Sequence, residues 1–457
     1  MRSFVRKNAV LLLAASAVAV AGCGGSMSSL PTKTPVPVAA QMKGEAFGGQ
    51  QPVTNMTLQL YDAGATGYGS SATGLLTDPL PQTGSNGQFS FANPSCASDP
   101  SNKDQIYLVG TGGDPMAAPQ GTGPNPANSH LALMVALGAC GNLNNIAHIH
   151  MNELTTVAAV WALAPFMSGN TQAFQNVGTS STNITGLQMA FAAAGEVTNI
   201  STGALPGTLP AGAVLQQDEV NTVADLLEAC INSIDGSGNS ASANCTNLFS
   251  NAPSQSGDPV DTITAAMNIA QNPARNVGLL LTSNTATFQP VVPSPTAFLI
   301  AIQYTGSGLA APTAIAADQS GQIWVTNSGV NAVSRFDNLG NAQAATSLAG
   351  APGGVAIDTN GNAWVTASDN TVYEVNSSGM LTVTTLTGNG LNLPTGIAID
   401  PNNNIWVVNS GANTVSAFTS AGAALNVNSP YNGGGSIASP TAIAINGNAN
   451  ANCGDCH

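Results

Sequence analysis

Charge is scarce in this chain, and positive charge is nearly absent. Only 7% of the residues are Asp, Glu, Lys or Arg, with 8 basic side chains against 22 acidic ones. No basic stripe exists to neutralise phosphates, which argues against nucleic acid as a partner. Anionic lipid headgroups would repel the chain as well. The sequence also lacks a GxxxxGK[ST] phosphate loop, a GxSxG nucleophile elbow and an HExxH pair, so three common catalytic signatures are missing. The apolar run at residues 9–21 is shorter than the roughly 20 residues that a membrane-spanning helix needs.

What is present points to export. Gly and Pro number 50 and 27, and with the abundant Ser, Thr and Asn this is the composition of an exported β-rich protein. The 457 residues allow about three domains. Arg2, Arg6 and Lys7 precede the apolar run, and VAGC follows at residues 20–23. A charged start, a short apolar stretch and a small-residue cleavage site describe an export signal. VAGC resembles the bacterial lipobox, which implies cleavage before Cys23 and lipid on its sulfur. Without Arg2, Arg6 and Lys7 the mature chain carries 5 basic and 22 acidic residues, a net −17. The lipid would therefore make the membrane attachment. Gly24 after the cysteine implies, in related Gram-negative systems, sorting to the outer membrane. A Pro/Ser/Thr tether completes residues 23–42 and would hold the protein off the membrane.

Six further cysteines fit an oxidising compartment. Nearest-neighbour pairing gives Cys96–Cys140, Cys230–Cys245 and Cys453–Cys456 among fifteen possible connectivities.

The expected fold is multidomain and mainly β with a helical middle. It comprises a β-sandwich at 43–137, a small α-helical domain at 138–289, a linker at 290–311 and an incomplete propeller of about three blades at 312–457. Residues 56–61 (MTLQLY) alternate strictly, with Met56, Leu58 and Leu60 on one face. Asn86–Gly87 is a turn dipeptide before the strand QFSF at 88–91. The order GEAFGGQQPV, MTLQLYDAG, GSNGQFSF resembles the carboxypeptidase-regulatory-like domain, mostly a spacer or adhesion module. In the middle region Asn152 is placed to cap a helix carrying Leu154, Val157, Ala158 and Trp161 on one stripe. A second helix runs through Val220, Val223, Leu227, Cys230 and Ile231. A third is expected to open at Asp258–Pro259 and to stop at Asn272–Pro273.

The last region repeats itself. DQSGQIWVTN starts at Asp318, DTNGNAWVT at Asp358 and DPNNNIWVVN at Asp400. Pro312, Pro352, Pro394 and Pro440 keep the same phase, as do Trp324, Trp364 and Trp406. A period of about 40–45 residues fits one four-stranded propeller blade per repeat. The pattern P-x-x-I-A-x-D-x-x-G-x-I-W-V, then N-x-V-x-x-F, resembles NHL-type and virginiamycin-B-lyase-type propellers. Three full repeats and the start of a fourth are present, so the ring is expected to stay open, to close with a partner, or to be truncated. The lyase resemblance implies a catalytic His and acidic Mg²⁺ ligands. From Pro312 onward the only His is His457 and the only Glu is Glu374, which counts against lyase chemistry.

Three constellations have chemical potential. Cys453, Cys456 and His457 form CGDCH, the attachment pattern of c-type haem. A haem pocket needs more chain around it, so a Cys453–Cys456 disulfide or dithiol is preferred and no cofactor is expected. His148, His150 and Glu153 could begin a metal site if 148–150 is extended, although a chance pair near a helix start is the favoured reading. Asp318, Asp358 and Asp400 are read as turn residues before the Trp strand rather than Ca²⁺ ligands. The function expected is a non-enzymatic, lipid-anchored envelope protein that binds an unidentified protein or glycan. A propeller lyase and a haem electron-transfer protein are the alternatives.

Overall fold

The computed structural model describes residues 41–94, 103–115, 127–236, 240–254, 257–283 and 285–445. The lipobox cysteine Cys23 and Cys96, Cys453, Cys456 and His457 lie outside them.

The fold begins with two facing sheets. In the first, Gln41–Gly48 pairs antiparallel with Gln51–Pro52 and with Gln88–Ala92, and Ile149–Met151 joins it in parallel. The second runs Thr73–Gly74, Thr57–Asp62, Gln105–Thr111, Ala132–Ala139, all antiparallel. The alternation read at 56–61 is real, with Met56, Leu58 and Leu60 fully buried. Ile106–Val109 and Leu131–Val135 instead form unbroken buried runs, as strands covered on both faces do. Helices supply the second cover.

The described residues include six α-helices: α1 Glu153–Leu163, α2 Ile184–Val197, α3 Gln217–Ile231, α4 Ala243–Asn251, α5 Thr262–Gln271 and α6 Val277–Leu280. Asn152 caps α1 in a reciprocal box with Thr155: each backbone N–H reaches the other side chain at 2.9 Å. This helix is buried almost all round rather than on one stripe, and Trp161 is among its less buried residues. It lies centrally, against α2, α3, α5 and the Ala132–Ala139 strand. The third expected helix starts later than Asp258–Pro259. Asp261, not Asp258, accepts the Thr264 N–H at 2.8 Å and caps α5, which leaves Val260 exposed.

Two of the expected boundaries do not separate cores. One hydrophobic cluster runs from Met42 to Phe298, so the sheets of 43–137 and the helices of 138–289 form a single packed body. The cause is topological: Ile149–Met151 completes the first sheet, and the helices cover the second. Residues 290–311 are not a free linker either. Asn221 donates to the Pro290 carbonyl (2.8 Å), Thr222 accepts from Val292 N–H (2.9 Å), and Phe298 is fully buried. Ile302–Gln303 pairs with Val214–Leu215.

Among the described residues three blades follow, each an antiparallel meander. The first is Pro312–Ala317, Ile323–Asn327, Ala332–Phe336 and Thr346–Ser347. The second is Pro352–Ile357, Ala363–Ala367, Thr371–Val375 and Leu381–Leu386. The third is Pro394–Ile399, Ile405–Asn409 and Thr414–Phe418. In this blade Tyr431 takes the outer position by exchanging both backbone hydrogen bonds with Val415. The prolines open the inner strands, which pack side by side. Thr313 Oγ1 donates to the Pro352 carbonyl and Thr395 Oγ1 to that of Pro440, both at 3.2 Å. The start of the fourth repeat thus lies against the third blade as the second blade lies against the first.

Candidate functional site

The blade turns are fixed by their own carboxylates. Asp318 Oδ1 accepts the backbone N–H groups of Ser320 and Gln322, and Oδ2 accepts Trp324 Nε1 (2.9, 3.0 and 3.3 Å). Asp358 repeats this with Asn360, Asn362 and Trp364 (2.8, 2.9 and 3.1 Å), and Asp400 with Asn402, Asn404 and Trp406 (2.9, 2.9 and 3.1 Å). Burial raises the Asp400 carboxyl, but hydrogen bonds from Asn404, Trp406 and Asn402 outweigh it and hold the group below the usual range. The repeated Asp and Trp side chains are thereby engaged in the turn.

Blade joins to blade through hydroxyls and packing. Thr326 Oγ1 donates to the Gly353 carbonyl of the second blade and accepts Ala314 N–H (2.8 and 2.9 Å). Thr366 does the same with Thr395 and Gly354, both at 2.8 Å. Their spacing of one repeat was the available sequence signal; Val408 stands at the third position. Arg335 lies over the Trp324 ring at 5.4 Å and donates to the Ser377 carbonyl. Strand alternation gives each blade two apolar faces. Trp324 and Val333 of the first blade pack on Ala363, Val365 and Val375 of the second. Trp364 and Val372 of the second pack on Ile405, Val407 and Phe418 of the third.

The hairpins between second and third strands form a stiff rim. Asn331, Asn370 and Asn413 take left-handed backbone conformations there, with φ of 49°, 62° and 55°, which Asn tolerates better than most residues. Ser328, Ser368 and Ser410 N–H groups bond the chain entering the inner strand of the same blade. Asn370 Oδ1 accepts Leu393 N–H of the third blade (2.8 Å), and Asn413 Oδ1 accepts Ser439 N–H (2.7 Å). Val330 and Leu393 stay exposed on this rim.

The counterparts of the covered face in the first blade are Ile323, Val325 and Phe336, with Ile315 beside them. No preceding blade meets them among the described residues. They face α2 across a cavity of about 360 Å³ lined also by Met189, Ala193 and Leu309. At its edge Tyr304 OH donates to Glu196 Oε2 at 2.6 Å. Burial, reinforced by Asp337, pushes the Glu196 carboxyl up despite the Tyr304 bond. Burial also raises the Tyr304 phenol, with the Glu196 hydrogen bond and charge adding to it. A more open cleft of about 860 Å³ adjoins, between α2, the Ala132–Ala139 strand and the Asn338–Asn341 turn.

The histidines meet a different carboxylate from the one expected. Register sets His150 opposite Glu45, and both His150 Nδ1 and His148 Nε2 approach Glu45 Oε1, at 3.0 and 3.6 Å. Glu153 opens α1 and turns into the core, where Oε1 accepts Gly49 N–H at 2.8 Å. Burial pushes its pKa up to about 8; backbone hydrogen bonds oppose the rise, and Glu228 and Asp225 add to it. Among the described residues no group of three His, Cys, Asp or Glu side chains is arranged to hold a metal ion. Glu374, the only Glu from Pro312 onward, accepts from Asn362 Nδ2 (2.9 Å) and Thr382 Oγ1 (2.6 Å). Cys230 and Cys245 are joined in a disulfide, and Cys140 is also oxidised to a disulfide. No described helix is long and apolar enough to cross a membrane.

The fold and its wiring define a partial β-propeller built onto a mixed α/β body. The NHL repeat family model matches residues 391–418, which is the third blade and its approach. No curated protein matches this chain. Solved structures similar to part of it include selenomethionine-substituted virginiamycin B lyase from Staphylococcus aureus, at 23% identity over 24% of this chain and 39% of that one, TM-score 0.23. A streptogramin B lyase matches at 19% identity over 29% and 41%, TM-score 0.23. A protein of unknown function from Bacteroides caccae matches at 21% identity over 25% and 44%, TM-score 0.22. The chain spans about two fifths of the length of the two lyases.

Proposed function

We propose that this chain is an exported lipoprotein, held to the cell envelope through lipid on Cys23, whose blades recognise a protein or a glycan without catalysing a reaction. The observation that carries the reading is the rim. Each hairpin is tied to its own blade by a Ser N–H, and those of the second and third blades are tied onward by Asn370 and Asn413, yet Val330 on the first hairpin and Leu393 at the entry to the third blade stand exposed among Ser and Asn residues. A rigid loop set with apolar side chains in polar surroundings suits recognition. The first sheets and helices, read as a carboxypeptidase-regulatory-like module with a helical cover, would space the blades from the membrane, most simply the outer membrane.

Two measurements test this. Cys23→Ala should move the protein from the membrane fraction to the soluble envelope fraction; unchanged fractionation refutes the anchor. Immobilised protein should retain specific envelope proteins or glycans, and Val330→Asp with Leu393→Asp should lower that retention while leaving the melting curve in place. Equal retention by the double variant refutes the rim.

A further inference from the structure

We propose that the cavity between α2 and the first blade is a binding site for a small cationic amphiphile, with an apolar body against the blade and an ammonium group at Glu196. The apolar half of the argument comes from the repeats. Ala363, Val365 and Val375, and again Ile405, Val407 and Phe418, are no more than 1% exposed because the preceding blade covers them. In the first blade Ile315 is 69% exposed and Ile323 half-buried, and Val325 and Phe336, though buried from bulk solvent, still line a cavity of about 360 Å³. The helix brings Met189, Ala193 and Glu196 to that space, and its two apolar side chains are too little bulk to replace a sheet. The volume lies within the range of small-ligand sites, which pair apolar walls with a few converging polar groups.

Charge selects the head group. Glu196 and Asp337 are both part of the lining, and no Lys, Arg or His is. Asp337 is occupied by its turn: its carboxylate accepts Leu339 N–H, Asn341 N–H and the Asn341 and Gln343 amides. Glu196 accepts Tyr304 at Oε2 and keeps Oε1 for a ligand. A buried carboxylate with one neutral donor and an acidic neighbour is completed by a cation, whereas a carboxylate ligand would be repelled. Tyr304 fixes the rotamer of Glu196, so the acceptor is preorganised. The site is separate from the rim and does not depend on what the rim binds.

The test uses the full chain carrying Cys23→Ala, prepared free of detergent, with decylammonium, decanol and decanoate titrated calorimetrically at pH 8. Decylammonium should bind saturably at one per chain, decanol about ten-fold or more weaker, and decanoate not measurably. Glu196→Gln should bring decylammonium down to the level of decanol and leave decanol unchanged. Val325→Trp, or Ala193→Phe from the helix side, should fill the cavity and abolish both; whichever keeps the parental melting curve is the one read. The proposal is overturned if decanoate binds as well as decylammonium or if Glu196→Gln has no effect. Binding that survives in the filled variant would likewise overturn it, by placing the cation elsewhere on this acidic surface.

Discussion

Replacing Glu153 by Gln should stabilise the protein above neutrality and remove a pH dependence. Glu153 is completely buried, its Oε1 holds Gly49 N–H at 2.8 Å, and its Oε2 has no hydrogen-bond partner. Burial sets its pKa at about 8 against an ordinary 4.5, with Glu228 and Asp225 contributing. The native state therefore binds a proton that the unfolded state releases between those values. The associated stability is complete below about pH 4.5 and is lost as pH rises through 8, amounting to about 5 kcal/mol over the interval. Gln keeps the acceptor for Gly49 and offers an N–H₂ to the carboxylates of α3. Urea unfolding at pH 5, 6.5 and 8 should show the gap between Glu153→Gln and the parent widening in favour of the variant. A gap constant across pH, or a variant less stable than the parent at pH 8, would refute the assignment of Glu153 as a buried, proton-holding acid.

Asp358→Ala should cost about 2–4 kcal/mol, because buried Trp364 Nε1 and two turn N–H groups lose their acceptor; Asp400→Ala should cost less, since Trp406 is only part-buried. Denaturation followed by Trp fluorescence compares the two. Removing the Cys230–Cys245 bridge, which closes a loop of 15 residues, should cost about 3 kcal/mol, and non-reducing peptide mapping should recover the pair. Phe298→Ala should cost about 3–5 kcal/mol and open residues 290–311 to limited proteolysis; an unchanged cleavage pattern would mean that segment is not docked.

Features readable from the sequence were those whose cause lies nearby in the chain. The Asp–Trp turns span six residues, the Asn152 cap spans three, and the Met56, Leu58, Leu60 face follows from the period of a strand. Thr326 and Thr366 stand one repeat apart, but their role as links to the next blade emerged only once the inner strands lay side by side.

Local elements and the blade repeat were legible along the chain, because hydrophobic period, turn chemistry and capping act within a few residues. What those elements meet came from the packing of the whole chain. It joined the sheets to the helices in one core, set Glu45 rather than Glu153 beside His148 and His150, and docked residues 290–311 through Phe298. It also placed Tyr304 on Glu196, 108 residues away, and laid α2 along the open face of the first blade. Such pairings depend on which apolar surfaces remain uncovered after local folding, and no short-range pattern in the chain encodes that.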